Sequence, residues 1–113
     1  MSNNEILKMI ADFMQLETVL INEKWRWESK HDGVHELRYD SSYDWLMPVW
    51  FKFRNLGIEI KGVTYKQNFR QISESFKNGI TSSDIKGAYN DAAMAIKWYN
   101  MYNAEIRNGQ PNK

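Results

Sequence analysis

The chain has 113 residues, the size of one domain, and its five Trp, six Tyr and five Phe supply large side chains for a core. It contains no cysteine, which excludes disulfides, thiolate metal sites and cysteine nucleophiles. A formal net charge of +1 excludes a strong overall field for nucleic acid.

The first segment predicts an amphipathic helix that ends near Gln15. Ser2 and Glu5 have the spacing of a capping box, in which a hydroxyl and a carboxylate bind free amides at the helix start. Lys8 and Asp12 interrupt the apolar run, so it is too short and too polar for a signal sequence or a membrane span. Four apolar residues share one helical face: Ile6, Ile10, Phe13 and Met14.

From Thr18 the hydrophobic period changes to two, which predicts a strand. Glu23 is out of pattern. The apolar face of this strand carries Val19, Ile21, Trp25 and Trp27. We therefore predict one continuous strand that leads into a hairpin turn.

The hairpin turn is predicted at residues 31–33, His-Asp-Gly, with Gly33 in the left-handed conformation that a side chain disfavours. This three-residue loop places Trp27 opposite Leu37 and Trp25 opposite Tyr39. A two-residue loop would place the same tryptophans opposite Arg38 and Asp40. Apolar cross-strand pairs stabilise a sheet, so the sequence favours the three-residue loop.

Residues 39–53, YDSSYDWLMPVWFKF, predict a core helix rather than a ligand-stacking surface. Ser41 or Ser42 can cap it, Pro48 should loosen its early turns, and Gly57 should end it. Its apolar stripe recurs at spacings of four, four and three, through Trp45, Val49, Phe53 and Leu56.

The second half of the chain predicts a strand, an ambiguous segment and a long helix. Ile58 and Ile60 begin the strand, which continues to about residue 66. Residues 67–78 have helical spacing and a glycine stop at Gly79, yet a returning strand would complete a second hairpin. The last helix follows Thr81 and Asp84, which again have capping-box spacing. It carries two apolar stripes, so it is covered on two sides or meets a partner.

Three segments resemble small proteins of Bacteroidota phages and prophages: IADFM near the start, SSYDWLMPV in the middle and IKGAYNDAAMAIKWYN near the end. Those proteins have a Trp-Asp-Trp-Leu-Met-Pro type helix and a last helix that ends in Ile-Lys-Trp-Tyr-Asn. The resemblance covers about half of the chain, and residues 18–40 and 66–80 match poorly. It implies an α+β fold, favours a strand at 69–76, and assigns no catalytic residue.

We therefore predict one small α+β domain over residues 1–108 and a flexible tail over 109–113. Short antiparallel strands or hairpins would pack against three main helices. No internal repeat or low-complexity segment divides the chain.

The sequence predicts neither an enzyme nor a cofactor site. His31 and His35 have the i, i+4 spacing of a helical metal site, but a hairpin would separate them, and zinc needs at least three protein ligands. The serines near Asp84 have no histidine placed to activate them, so capping is their expected role. No glycine-rich phosphate loop is present.

Two groups of residues are predicted to bind partners. The first is a contact surface made from an aromatic and arginine group with a secondary charged patch: Trp25, Arg26, Trp27 and Tyr39, then Lys52 and Arg54. A competing interpretation has the first helix cover the tryptophan face and leave only Arg26 outside. The second group is a basic set interleaved with aromatics, which could bind phosphates: Lys61, Lys66, Arg70 and Lys77.

Two functions follow as hypotheses. The first is a non-enzymatic binding protein of a phage or prophage that acts in the cytoplasm of the host bacterium, without a membrane partner. It would inhibit an antiviral defence system, as an anti-CRISPR protein does, by contact with a host protein such as a defence effector nuclease. This hypothesis rests on the resemblance. The alternative is a small module that binds nucleic acid or a nucleotide through the basic 52–77 segment.

Overall fold

Four helices and one three-stranded antiparallel sheet make up the part of the chain that the computed structural model describes, residues 2–31, 33–82 and 84–109. The elements in chain order are α1 (Asn3–Phe13), β1 (Thr18–Ile21), β2 (Lys24–Ser29), β3 (Gly33–Glu36), α2 (Tyr43–Leu56), a 3-10 turn (Gly57–Glu59), α3 (Val63–Thr81) and α4 (Ile85–Gly109). The predicted class, one small α+β domain, is confirmed. Helix α3 is a fourth helix beside the three main helices that the sequence predicts.

The first hairpin divides what the sequence predicts to be one strand. Asn22 and Glu23 form a two-residue turn with positive φ angles of 52° and 64°, and this turn separates β1 from β2. Leu20 therefore lies opposite Trp25, whereas Val19 lies opposite Arg26. The prediction that Val19 shares a face with the tryptophans is wrong, because the turn reverses the chain where the alternation breaks.

The second hairpin has the predicted glycine conformation but another register. Gly33 has a φ of +86°, as predicted, yet it is the first paired residue of β3 and lies opposite Ser29. Trp27 consequently lies opposite His35 instead of Leu37. The shift is two residues, so the same side chains keep the same face of the sheet. Asp32, in the predicted loop, lies outside the described residues.

Helix α2 is a core helix, as predicted. Leu46, Val49 and Phe53 are fully buried, and the helix continues through the exposed Pro48. It ends at Leu56, and Gly57 follows with an ordinary φ of −57°. Gly57 is required for space, because a Cβ there would lie 2.4 Å from the ring of Phe69 in α3.

Residues 63–81 form a helix, so the predicted strands at 58–66 and 69–76 are both wrong. Gly62, with a φ of +91°, precedes α3, and the chain before it forms the 3-10 turn. Phe69 and Phe76 pack into the core between α2 and α4, which favours the helical spacing over a strand. Gly79 does not stop α3; it is buried where a Cβ would lie 3.0 Å from the backbone of Ala88.

Helix α4 closes the core against the other three helices. Asp84 caps its start by accepting a hydrogen bond from the Gly87 amide at 3.1 Å. Thr81 is the last residue of α3 and Asp84 is itself the cap of α4, so the predicted Thr81–Asp84 capping box is not formed. Ser2 caps α1 as predicted, because its hydroxyl accepts the Glu5 amide at 3.2 Å. Helix α4 reaches Gly109, and the rest of the predicted tail lies outside the described residues.

None of the helices in the described part of the chain is long and apolar enough to cross a membrane.

Candidate functional site

The tryptophan face of the sheet is covered by helices. The Trp27 ring lies edge-on to Trp45 of α2 with 5.9 Å between centroids, and it lies 5.3 Å from the ring of His35. The Nζ atom of Lys8 in α1 lies 4.7 Å from the centre of the Trp25 ring. Both tryptophans are half-buried against the core. The competing sequence interpretation, in which α1 covers this face, is correct only in part, because α1 contacts Trp25, α2 contacts Trp27, and both side chains remain partly exposed.

Tyr39 belongs to the core and not to an accessible surface. Its side chain is only 2% exposed, and its ring lies edge-on to Trp45 at 5.1 Å. Burial raises the pKa of Tyr39 to about 12, because a charged phenolate is poorly solvated there. Tyr39 is therefore removed from the predicted contact surface.

Arg26 lies on the opposite face of β2, between Val19 of β1 and Glu36 of β3. It lines a cleft of about 610 Å³ where the first turn of α1 meets the start of β2 and the segment after β3. Two more cations, Lys24 and Arg38, line the same cleft, together with Trp25. The volume is in the usual range of ligand sites, roughly 300–1,000 Å³.

Long-range hydrogen bonds hold the walls of this cleft together. The Asn4 side chain accepts the Trp25 amide at 2.8 Å and donates to the Glu23 carbonyl at 3.0 Å. The Asn3 amide group donates to Asp40 at 3.1 Å and accepts from the Tyr89 hydroxyl at 2.6 Å. Helix α1 is thereby fixed to the first hairpin, to the segment before α2 and to α4.

The cleft has three cations and two carboxylates. Lys24, Arg26 and Arg38 are opposed by Glu36 and Asp40 on the same walls. Within the described ranges, the one ion pair joins Lys8 to Asp12 at 2.6 Å, so none of the three cleft cations has an ion-pair partner there. These cations are available to an acidic group that enters the cleft.

Lys52 and Arg54 do not form one patch. Lys52 is half-buried, and its Nζ donates to the Phe13 carbonyl and lies 4.8 Å from the centre of the Phe13 ring. Arg54 is exposed, and its guanidinium lies 5.4 Å from the centre of the Trp50 ring. Residues two apart point to different sides of a helix. Only Arg54 of the predicted patch is accessible.

The predicted basic set is exposed. Lys66, Arg70 and Lys77 lie within about 40° of one another around α3, and Lys61 lies in the corner before it. None of the four has an ion-pair partner among the described residues. Two of the aromatics interleaved with them face inward, because Phe76 is fully buried and Phe69 packs on Phe53 at 4.7 Å, whereas Tyr65 is partly exposed. Phe69 and Phe76 are therefore not available for stacking on bases.

The two histidines of the weighed metal site do not converge with further ligands. His31 is exposed next to the hairpin turn, and the His35 ring lies against Trp27. In residues 2–31, 33–82 and 84–109, no three His, Asp or Glu side chains form a group that could hold a metal ion.

The sequence interpretation missed several large apolar side chains that are exposed. Phe51 of α2 is 47% exposed, and Ile58 in the 3-10 turn is 90% exposed. Both lie outside the apolar stripe that predicts the core face of α2. That position is the signal in the sequence that could have identified them as exposed. The second of the two apolar stripes predicted for α4, which contains Met94, Trp98, Met101 and Tyr102, is covered only in part, because Met94 and Met101 are exposed whereas Tyr102 is buried.

Comparison of the chain with protein-family models, with curated proteins and with solved structures finds no match.

Proposed function

We propose that this protein acts by binding another protein, with Arg26 and Trp25 as anchors in the cleft beside α1. The observation that carries this proposal is the 610 Å³ cleft whose Lys24, Arg26 and Arg38 have no ion-pair partner in the described part of the chain. Tryptophan and arginine are among the residues that dominate the binding energy of protein interfaces, particularly in pockets that become desolvated when the partner binds. Because the cleft walls are held by hydrogen bonds, little ordering is required on binding.

The proposed partner is a protein that offers an acidic group to Arg26. A carboxylate that enters the cleft would gain charge-assisted hydrogen bonds from a guanidinium whose cross-strand neighbour, Glu36, forms no ion pair with it. The sequence resemblance to phage and prophage proteins adds the proposal that this partner is a host defence protein, such as an effector nuclease. The protein would then inhibit it by contact in the host cytoplasm.

The experiment compares two charge reversals, Arg26→Glu in the cleft and Lys97→Glu on the exposed side of α4. Each variant is first shown by thermal melting to be folded, and is then used to capture proteins from a Bacteroidota lysate. We expect wild type and Lys97→Glu to retain the same partner and Arg26→Glu to lose it. A captured nuclease should also lose cleavage activity when the wild-type protein is added. If folded Arg26→Glu keeps every partner, the cleft is not the binding site.

A second candidate function is electrostatic binding of nucleic acid along α3. The observation that favours it is the exposed row of Lys66, Arg70 and Lys77, which spans about 16 Å of helix. Cations spaced along one face can neutralise successive phosphates and release their counterions.

Salt dependence tests this second candidate. Binding of a short single-stranded RNA should weaken steeply with salt, and the double variant Lys66→Ala, Arg70→Ala should weaken it for every sequence. The matched control replaces Lys86 and Lys97, two exposed lysines of α4. Failure to bind RNA or DNA even at low salt would eliminate this function without affecting the first.

A further inference from the structure

Helix α2 carries a second stripe on the side that faces away from the core. Met47, Phe51, Arg54 and Ile58 recur at spacings of four, three and four, so they share one side of α2 and the turn that follows it. The fully buried residues of α2 lie on the other side. The outward stripe is about 16 Å long, which corresponds to three turns of a partner helix.

The middle of this stripe is a preassembled aromatic and arginine cluster. The rings of Trp50 and Phe51 lie 5.2 Å apart at an angle of 61°, and the Arg54 guanidinium lies over the Trp50 ring. Trp50 is half-buried, whereas Phe51 and Arg54 are exposed. Residues of these types dominate interface energies, and their mutual packing reduces the side-chain entropy that binding would cost.

The corner between α2 and α3, which carries the last residue of the stripe, is held in place by contacts with the rest of the domain. Ile60 is buried, and the Lys61 amide donates to the Tyr102 hydroxyl at 2.6 Å. These contacts hold the backbone directly after the turn, between the exposed side chains of Ile58 and Val63. An isoleucine that is 90% exposed gains nothing from the fold of the monomer.

The charges around the stripe favour an acidic occupant. Arg54, Lys61 and Lys66 are exposed and have no ion-pair partner among the described residues, and Glu59 is the single acidic residue between positions 54 and 66. A second copy of the chain, docked by the same face, would place these cations against one another. Nucleic acid would use the cations but would leave Ile58 and Val63 without an apolar contact.

We infer that the outward side of α2 and the following corner, Met47 to Val63, bind an acidic amphipathic segment of a partner protein. The apolar side of that segment covers Phe51 and Ile58, and its carboxylates meet Arg54 and Lys61. This surface is separate from the Arg26 cleft, since the two use different residues of different elements. It therefore adds a second contact to the proposed binding function.

The test maps binding of a synthetic helical peptide by the amide shifts of isotope-labelled protein. The probe has leucines at i, i+3 and i+4 spacing and glutamates elsewhere; a scrambled peptide of the same composition is the control. We expect the probe alone to perturb residues 47–63, and Ile58→Glu to weaken it roughly tenfold or more. Met101→Glu is the matched control, because Met101 is an exposed apolar residue on α4.

The same experiment distinguishes the other molecules that could bind this surface, namely a second copy of the chain and nucleic acid. Concentration-dependent self-association that Ile58→Glu abolishes would overturn the inference in favour of a dimer. Equal binding of both peptides, or a probe that binds Ile58→Glu as tightly as wild type, would also overturn it. Perturbation of residues 47–63 by a single-stranded oligonucleotide but not by the probe would assign the surface to nucleic acid. None of these outcomes depends on the Arg26 cleft, so the proposed function is tested separately.

Discussion

At the residue scale, the glycines show how one residue type meets two different requirements. Gly33 has a positive φ and nothing within 4 Å of the place where a Cβ would lie. Gly57 has an ordinary φ, but the Phe69 ring occupies the place of its Cβ. The first position needs glycine for backbone conformation and the second for space. A glycine in the sequence alone does not distinguish these causes.

We predict that any side chain introduced at Gly33 destabilises the domain, and that the loss is larger for side chains that tolerate a positive φ less well. Gly33→Val should lower the free energy of unfolding by about 1 kcal/mol or more, since its cost is backbone strain alone. Gly33→Asn should cost less, because asparagine tolerates the left-handed region better than other side chains. Urea denaturation of the two variants measures both values. Equal midpoints for both variants and wild type would contradict the assigned strain.

At the element scale, the contact between α3 and α4 combines close backbone approach with a partly buried carboxylate. Small residues let the helices approach at Gly79 and Ala88. The Asp91 carboxylate lies at the same contact, 3.0 Å from where a Gly79 Cβ would be. Burial raises the pKa of Asp91, a hydrogen bond from Ser75 partly opposes this, and the charge of Asp84 adds to the increase.

We predict that Asp91→Asn stabilises the domain at neutral pH. A raised pKa in the folded state means that the fold favours the protonated carboxyl. This preference is fully expressed below the unfolded pKa and is lost as the pH rises through the folded pKa, so the ionised group is a cost at neutral pH. The gain from Asp91→Asn should therefore shrink as the pH falls to about 4.

Urea denaturation at the two pH values measures this dependence. Asp12→Asn is the control, because it removes the Lys8 ion pair of α1 and should not stabilise at neutral pH. A lower stability of Asp91→Asn than of wild type at neutral pH would show that the Ser75 hydrogen bond outweighs the burial of the charge.

At the scale of the whole molecule, two buried tyrosines connect the sheet side to the helical core. Tyr39 packs on Trp45 of α2, and the Tyr89 hydroxyl of α4 donates to Asn3 of α1. Burial raises the pKa of each to about 12, and the charge of Asp40 contributes at Tyr89. Both groups must therefore be neutral in the folded domain over the whole physiological range.

We predict alkaline unfolding between about pH 10 and pH 12. Because the folded pKa of both phenols exceeds the unfolded value of about 10, their contribution is complete below that pH and is lost as the pH rises through 12. Phenolate absorbance and circular dichroism, followed together, should show the last tyrosines ionising as the helices unfold. Tyr39→Phe should move this transition to higher pH, provided that it melts like wild type at neutral pH. A transition that stays in place would show that Tyr39 ionises without unfolding.

The local patterns of the sequence determined the Ser2 cap of α1 and the core faces of α1, α2 and α4, because periodicity and capping spacing depend on residues within a few turns of one another. They also identified Gly33 and the accessible Arg26. The turn at residues 22–23 was missed because one break in the alternation, at Glu23, is also compatible with an irregular strand, and the Asn4 side chain that donates to the Glu23 carbonyl belongs to another element. Residues 67–78 stayed ambiguous despite their helical spacing, because the strand predicted at 58–66 favoured a returning strand; the packing of Phe69 and Phe76 between two helices decides for the helix.

The candidate sites depended still more on tertiary structure. Trp25, Arg26 and Tyr39 lie close in the predicted hairpin, yet only packing decided that Tyr39 is buried and that Arg26 opens into a cleft. The first turn of α1, which forms one wall of that cleft, is more than thirty residues from Asp40 on another wall. Sequence alone determined which side chains could serve as anchors. Only the tertiary structure decided which of them remain exposed, because exposure depends on elements that are distant along the chain.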